Sequence, residues 1–373
     1  MPNQGYNNKN SFCSVFELIA VFRYVTAPGP YFYGPSILVG PAQGDRVFSA
    51  CRSLLNLAVF QYLATELERG YYAISDSVLE IDIESTRPKS LDIGILIIVG
   101  DDHNDTDYRL ALDSTQCYAA MHGYDFKIER ITPEWKKRCP ETDFMFARHC
   151  VASHLLHRHE WTLFLDADVG VINPNRFLDD YINEASNGTD LIFYDRFFCW
   201  EIAAGSYFVR NTSFSQQFLM KFAELEGGDL PNSFHGRDNG AIHWLFVREF
   251  FPNTSSQVDP SSCMAIWRES TDFVDLFVFE ACTRLIFGEV RYFHAAPENG
   301  GPGIVELLPK GTGWMRDIWL TQSKVSPDTD FMIHGLKHSI EIPGIDDASA
   351  MERARARRKF EMAIDEVAGR AGT

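Results

Sequence analysis

A mostly parallel α/β sheet flanked by helices is the fold class this sequence predicts, and three observations carry the prediction. The run LDIGILIIVG (91–100) is continuously apolar and ends in glycine, the pattern of a central parallel strand buried on both faces. From there to residue 165, strand-like and helical periodicities alternate, which implies right-handed crossover units. A second apolar run, Thr162–Leu165, leads into Asp166 and Asp168. The carboxyl edge of such a sheet is where ligands bind.

The elements follow in order. Residues 1–90 form an N-terminal extension: TAPGPYFYGPSILVGPAQG (26–44) is loop or linker by its Pro and Gly content, and a helix is predicted over 46–69, before Gly70. The main domain is placed at 91–345. After its first strand, DDHND is a polar loop; Tyr108–His122 has helical spacing and Gly123 stops it. DFKIERI (125–131) alternates as a strand, Phe144–His157 is the second helix, and the strand ending in the two aspartates comes next. Pro174 can open a helix to Ile182. Strands are predicted at 190–196 and 202–211, and helices at Ser213–Leu225 and from Asp238. Residues 250–320 read as irregular, with strand-like pieces at Phe273–Phe279 and Leu285–Phe293, and 346–373 as a charged helical tail.

With 373 residues, 45% hydrophobic, the chain can bury a sizeable core, and its net charge of −17 argues against binding a nucleic-acid backbone. The eight cysteines include no C-x-x-C pair, which argues against a structural zinc site of that spacing. Their even number permits disulfides. Sequons at Asn104, Asn187, Asn211 and Asn253 point weakly to a secretory history. No run of 18 uncharged apolar residues is present, and the N-terminus lacks a basic stretch followed by an apolar one. Val47–Ala64 reads as an amphipathic helix, with a degraded signal anchor as the other reading, so membrane association through the N-terminal region is left open.

The two aspartates carry the strongest chemical signal. Read as part of a strand, Asp166 and Asp168 face the same side. Paired carboxylates at a buried strand end repel one another and resist desolvation, a cost that Mn²⁺ or Mg²⁺ would remove. The alternative is a polar strand end that caps the next turn. Ala203, Ala204, Gly205 and Ser206 let a backbone approach a ligand closely or mark a tight packing point. Asp238 at a helix start is most simply a cap. Lys310, Trp314, Arg316 and Asp317 lie close together in sequence; such a cluster stacks on and hydrogen-bonds a sugar, or is a solvated loop around one buried Trp.

Several of these pieces match one pattern. D-A-D after an apolar strand resembles the D-x-D of metal-dependent glycosyltransferases with the GT-A fold. IAAGSYFVRN resembles the N-x-G-S-F-x-x-R-N strand of the Golgi α-galactosyl-, mannosyl- and xylosyltransferases, RDNGAIH their D-Q-S-A segment, and HGLK their late metal-binding His with its basic follower. FYDRFFCWEIAAGSYFVRN, SFHGRDNGAIH, KGTGWMRDIWL and FMIHGLKH together are similar to an uncharacterised eukaryotic family of predicted nucleotide-diphospho-sugar transferases, over about residues 91–340. The chain departs from the better-known family at Ala203, where that family has Asn, and at Asn239, where it has Gln.

The resemblance implies a GT-A type Rossmann-like sheet, a nucleotide-sugar donor, a glycan or glycoconjugate acceptor and a Golgi or secretory-lumen location. It implies Asp166, Asp168 and His334 as ligands of Mn²⁺ (or Mg²⁺), and Lys337 as the charge on the β-phosphate. Gly100, Asp101 and Asp102 would meet the nucleotide, Ala204, Gly205 and Ser206 the sugar, and Asp238 and Asn239 the reacting face. A D-x-D after an apolar strand also occurs in haloacid-dehalogenase-type phosphatases, where the first aspartate, here Asp166, is a nucleophile. A non-catalytic nucleotide-sugar binder is the third reading.

Overall fold

The structure, a computed structural model, describes residues 91–197, 199–228, 230–252, 258–295, 302–317 and 330–336. In chain order the elements begin with β1 (Ile93–Val99), α1 (Arg109–His122), β2 (Asp125–Arg130), α2 (Pro133–Arg138), α3 (Phe144–Leu155), β3 (Trp161–Leu165), β4 (Val169–Val171), α4 (Leu178–Glu184), β5 (Leu191–Tyr194) and β6 (Ser206–Arg210). They continue with α5 (Ser213–Glu224), α6 (Asp238–Phe250), α7 (Pro260–Arg268), α8 (Phe273–Phe287), β7 (Tyr292–His294), β8 (Ile304–Leu308), β9 (Met315–Asp317) and β10 (Met332–His334). The class is mixed α/β, with helices flanking the strands. The described residues fall into two compact units: 91–132, 158–184 and 314–336 make the β1 unit, and 133–157 and 185–313 the β5 unit.

In the β1 unit every residue of β1 is buried, and both of its neighbours run parallel to it, with Ile97 opposite Ile128 on one side and Leu165 on the other. The carboxyl ends of β1 and β3 therefore lie side by side. Gly123 ends α1 with φ 69, and its N–H donates to the Ala119 carbonyl, a left-handed cap that suits glycine. A three-stranded sheet of order β4-β10-β9 completes the unit.

In the β5 unit the strand order is β6-β5-β8-β7, with β5 antiparallel to β6 and parallel to β8. Its core is aromatic: Phe193 and Phe218 meet Phe246 edge-on, with centroids 5.8 and 6.1 Å away. Disulfides Cys139–Cys150 and Cys263–Cys282 tie α3 to the segment before it and α7 to α8.

Several elements differ from the sequence-based expectation; within 250–320, read as irregular, Pro260–Arg268 is a regular helix and Ile304–Leu308 a strand. FVDLFVFEACTRLIF is one helix, α8, not two strands. Its aromatic and β-branched content favours β locally, but Leu276, Phe279, Glu280, Thr283, Ile286 and Phe287 are buried at helical spacing, and tertiary burial overrides propensity. The helix expected from Pro174 starts only at Leu178. Before it, Asn173 Oδ1 accepts from the Asn175 N–H at 3.0 Å and the Arg176 carbonyl accepts from the Tyr118 hydroxyl at 2.8 Å, so the intervening backbone is committed elsewhere. The strand expected over 202–211 is regular only from Ser206. The helices expected at 46–69 and after 346 lie outside the described residues. Among the described residues no helix is long and apolar enough to cross a membrane.

Candidate metal centre

Asp166 and Asp168 do not lie on β3. The strand stops at Leu165 and D-A-D makes a tight turn into β4, closed by the Val169 N–H donating to the Asp166 carbonyl at 3.1 Å. Strand alternation is thus not what brings the two carboxylates together; the turn does it.

The small sheet supplies the third group. β10 runs antiparallel to β4 with His334 opposite Val169, and parallel to β9 with His334 opposite Asp317. This register places the imidazole beside the carboxylates on one side and Asp317 on the other. Gly335 has φ 101, and its N–H and that of Leu336 donate to the Asp168 carbonyl at 3.0 and 2.9 Å. The backbone carrying His334 is thereby clamped to the turn carrying Asp168. Glycine at 335 suits a left-handed φ that side chains resist. β4 itself sits tightly on α1. A Cβ at Gly170 would lie 2.9 Å from Ser114 Oγ and 3.2 Å from Ala111 Cα, while Thr115 Oγ1 donates to the Val169 carbonyl and Ser114 Oγ accepts from the Val171 N–H.

His334 Nε2 lies 3.2 Å from Asp168 Oδ1 and 3.7 Å from Asp166 Oδ2. The ligand atoms of all three residues lie within 4.8 Å of one another. Adjacent ligands on an octahedral ion bound at about 2.1 Å sit about 3 Å apart, so these separations suit one ion. Behind the imidazole, Nδ1 and Asp317 Oδ1 are 2.8 Å apart. With the Nδ1–H donated to that carboxylate, Nε2 carries a lone pair. In that tautomer the Nε2 lone pair faces the Asp166 and Asp168 carboxylates. Two carboxylates within 4.8 Å repel by roughly 3 kcal/mol at an effective dielectric of 20. A divalent cation would remove that repulsion, and a donor set of oxygens with one nitrogen would suit Mn²⁺ or Mg²⁺. Asp168 is buried and Asp166 partly open, which leaves room for further ligands.

Gly100, Asp101 and Asp102 form a turn at the carboxyl end of β1, closed by His103 N–H to the Gly100 carbonyl at 3.3 Å. Arg130 Nη1 donates to the carbonyls of both Gly100 and His103, and the His103 ring stacks on Tyr108 at 4.6 Å. The carboxylates of Asp101 and Asp102 belong to exposed residues. Trp314 is 1% exposed and meets Tyr181 edge-on at 5.6 Å. Of the two readings of that cluster, the buried Trp holds: its ring is core and offers no face to a sugar. Arg316 pairs with Asp330 at 2.5 Å. The sequence places Asp317 beside these residues without any sign of its tie to His334, which strand register creates.

The remaining candidates belong to the β5 unit, apart from Lys337, which lies outside the described residues. Ala204 and Ser206 are buried and Gly205 is half-buried, in the turn that opens β6. Asp238 is the first residue of α6, and Asn239 follows half-buried. The Asp238 Oδ2 pairs with Arg148, and its Oδ1 accepts from the Asn239 N–H at 2.9 Å. Both carboxylate oxygens are engaged, in a setting where the Arg148 side chain is 6% exposed. Arg148, 90 residues away in sequence, carried no signal of this partnership.

No curated protein matches the chain. One solved structure, described as the crystal structure of a glycosyltransferase involved in the glycosylation of the major capsid of PBCV-1, aligns with 22% identity over 42% of this chain and 78% of its own, at a TM-score of 0.33. A likeness of that size carries no argument about chemistry. The family described as "Protein of unknown function, DUF273" matches residues 115–344, which include Asp166, Asp168, Asp317 and His334. That match spans more than half of the sequence, and the chain belongs to this family.

Proposed function

We propose that this protein is a metal-dependent glycosyltransferase that moves a hexose from a UDP- or GDP-linked donor to a hydroxyl of a glycan or glycoconjugate. The convergence of Asp166, Asp168 and His334 on one point, with Asp317 fixing the imidazole, carries this reading. Its position supports it as well: the turn at 100–103 and the D-A-D turn leave neighbouring parallel strands at the same edge, where nucleotides bind in open α/β sheets. The disulfides Cys139–Cys150 and Cys263–Cys282 favour an oxidising, secretory compartment.

Glycosyl transfer from such a donor places negative charge on the departing diphosphate. A bound Mn²⁺ or Mg²⁺ would supply the neutralising charge there. The protein's own part is to hold and orient. Asp317 keeps the His334 lone pair turned toward the two carboxylates. The 100–103 turn, fixed by Arg130, meets the nucleotide. Lys337 takes the β-phosphate as a point charge. On the resemblance to sugar transferases, Asp238 and Asn239 would meet the acceptor, and Arg148 pairs with the Asp238 carboxylate. The same resemblance would give Ala204, Gly205 and Ser206 to the sugar. Transfer is on the same face, giving an α-linkage from an α donor.

A panel of UDP- and GDP-sugars with Mn²⁺, read by thermal shift, tests this. At least one donor should raise the melting temperature by mass action, and chelation should abolish the rise. A panel with no metal-dependent response counts against the reading. NMR of the product linkage then decides stereochemistry, and a β product from an α donor refutes retention.

A further inference from the structure

We propose that Cys199, Glu201 and Glu280 form a second cation site, built for a thiophilic divalent ion such as Zn²⁺. All three belong to the β5 unit. One sulfur and one oxygen from each carboxylate lie within 4.8 Å of one another, and the residues are 1%, 1% and 0% exposed.

The backbone holds these side chains firmly. Cys199 and Glu201 sit in a loop whose ends are closed by the Asp195–Ile202 bridge, by Arg196 N–H to the Glu201 carbonyl at 2.9 Å, and by Ala203 N–H to the Tyr194 carbonyl at 3.0 Å. Arg284 on α8 donates to the Trp200 carbonyl at 2.9 and 2.7 Å. Glu280 comes from the same helix, which the Cys263–Cys282 disulfide ties to α7.

Charge accounting singles out Glu280. The Asp195 carboxylate is paired with both Arg284 and Arg291. Glu201 is paired with Arg196 through Oε1. Neither Glu280 oxygen has a hydrogen-bond donor, although the carboxyl is fully buried. A carboxylate in that position needs a cation or a proton. A proton shared with Glu201 answers this need. It leaves the Cys199 thiol, the free cysteine among the described residues, without a part. A divalent ion uses all three groups. A thiolate, two carboxylates, the ion and Arg196 sum to zero net charge. Mixed sulfur and carboxylate ligation selects Zn²⁺ over Mg²⁺ or Mn²⁺. A site this closed would take up its ion as the chain folds.

The test uses the full chain carrying Asp168→Ala, so that the Asp166–Asp168–His334 centre contributes nothing. The protein is unfolded in chelator with its disulfides intact, then refolded with Zn²⁺ or with Co²⁺. One Zn²⁺ per chain should be retained after dialysis, and the Co²⁺ form should show near-ultraviolet thiolate-to-cobalt absorption. Adding Cys199→Ser should remove the absorption, and Glu280→Gln should remove the retained Zn²⁺. Absence of retained Zn²⁺, or retention that Cys199→Ser leaves unchanged, overturns the proposal. So does a Glu280→Gln protein as stable as its parent with no metal effect in either, which is the behaviour of a buried proton. Should both variants fail to fold, the Co²⁺ spectrum of the Asp168→Ala parent decides, and a spectrum without thiolate absorption overturns the site.

Discussion

Asp317→Ala leaves all three proposed metal ligands in place and removes only the group behind one of them. Its carboxylate is buried and lies 2.8 Å from His334 Nδ1, so solvent screens the contact little. Its loss frees the imidazole to rotate and to exchange tautomers, and lowers the basicity of Nε2. Outer partners of metal-bound histidines typically change affinity by about 10–100-fold, which is about 1.4–2.7 kcal/mol. Asp317→Asn keeps an acceptor for the Nδ1–H and gives up the charge, so its effect should be smaller. His334→Ala removes a ligand and should cost more than either. Titrating Mn²⁺ by electron paramagnetic resonance or calorimetry at pH 8, where an ordinary imidazole is neutral, gives the three affinities in order. Equal Mn²⁺ affinity in wild type and Asp317→Ala would refute the role given to this residue. A loss in Asp317→Ala as large as in His334→Ala would show that Asp317 is itself a ligand.

Other consequences follow from packing and burial. Gly170→Ala forces a methyl against Ser114 Oγ and the Ala111 backbone, and overpacking of that kind costs about 1–3 kcal/mol; an unchanged urea midpoint would contradict the tight seating of β4 on α1. Arg148→Met strands the buried Asp238 charge, an expected loss of about 3–5 kcal/mol. Asp238→Asn in the same chain should recover much of it, and an Arg148→Met loss below about 1 kcal/mol would show that the pair is not what fixes Asp238. Stability should also fall on acidification below the ordinary histidine value of 6.5. His149 and His243 are fully buried, and burial, followed by the charges of Arg148 and Arg284, holds both well below it. In that range the unfolded chain takes up protons the folded chain refuses. The slope is therefore up to about 1.4 kcal/mol per pH unit for each histidine, fully recovered above 6.5. A flat stability profile between pH 7.5 and 5.5 would contradict this.

Local pattern made part of this legible in the sequence. β1 is a continuous apolar run, α1 ends at a glycine in the left-handed conformation, and D-A-D follows a buried strand. Each of these is decided within a dozen residues. What escaped was decided by distant parts of the chain. The aspartates sit in a turn because β4 leaves to pair with β10, more than 160 residues later. Asp317 supports His334 because β9 and β10 align in one register. Trp314 is core because it packs on Tyr181. α8 is helical because its apolar stripe is buried, against the preference of its own residues. Sequence spacing has no access to these registers, and the resemblance to sugar transferases supplied His334 where spacing alone did not.

The most direct measurement of the central claim is UDP and GDP binding by calorimetry, with Mn²⁺ and with chelator, in wild type and Asp168→Ala. If the D-A-D turn and His334 seat the cation that holds a nucleotide-sugar's diphosphate, one of the two nucleotides binds wild type in Mn²⁺, and that binding disappears both in chelator and in Asp168→Ala protein of unchanged circular dichroism. Binding of the same nucleotide, equally tight in chelator or in the variant, would contradict it.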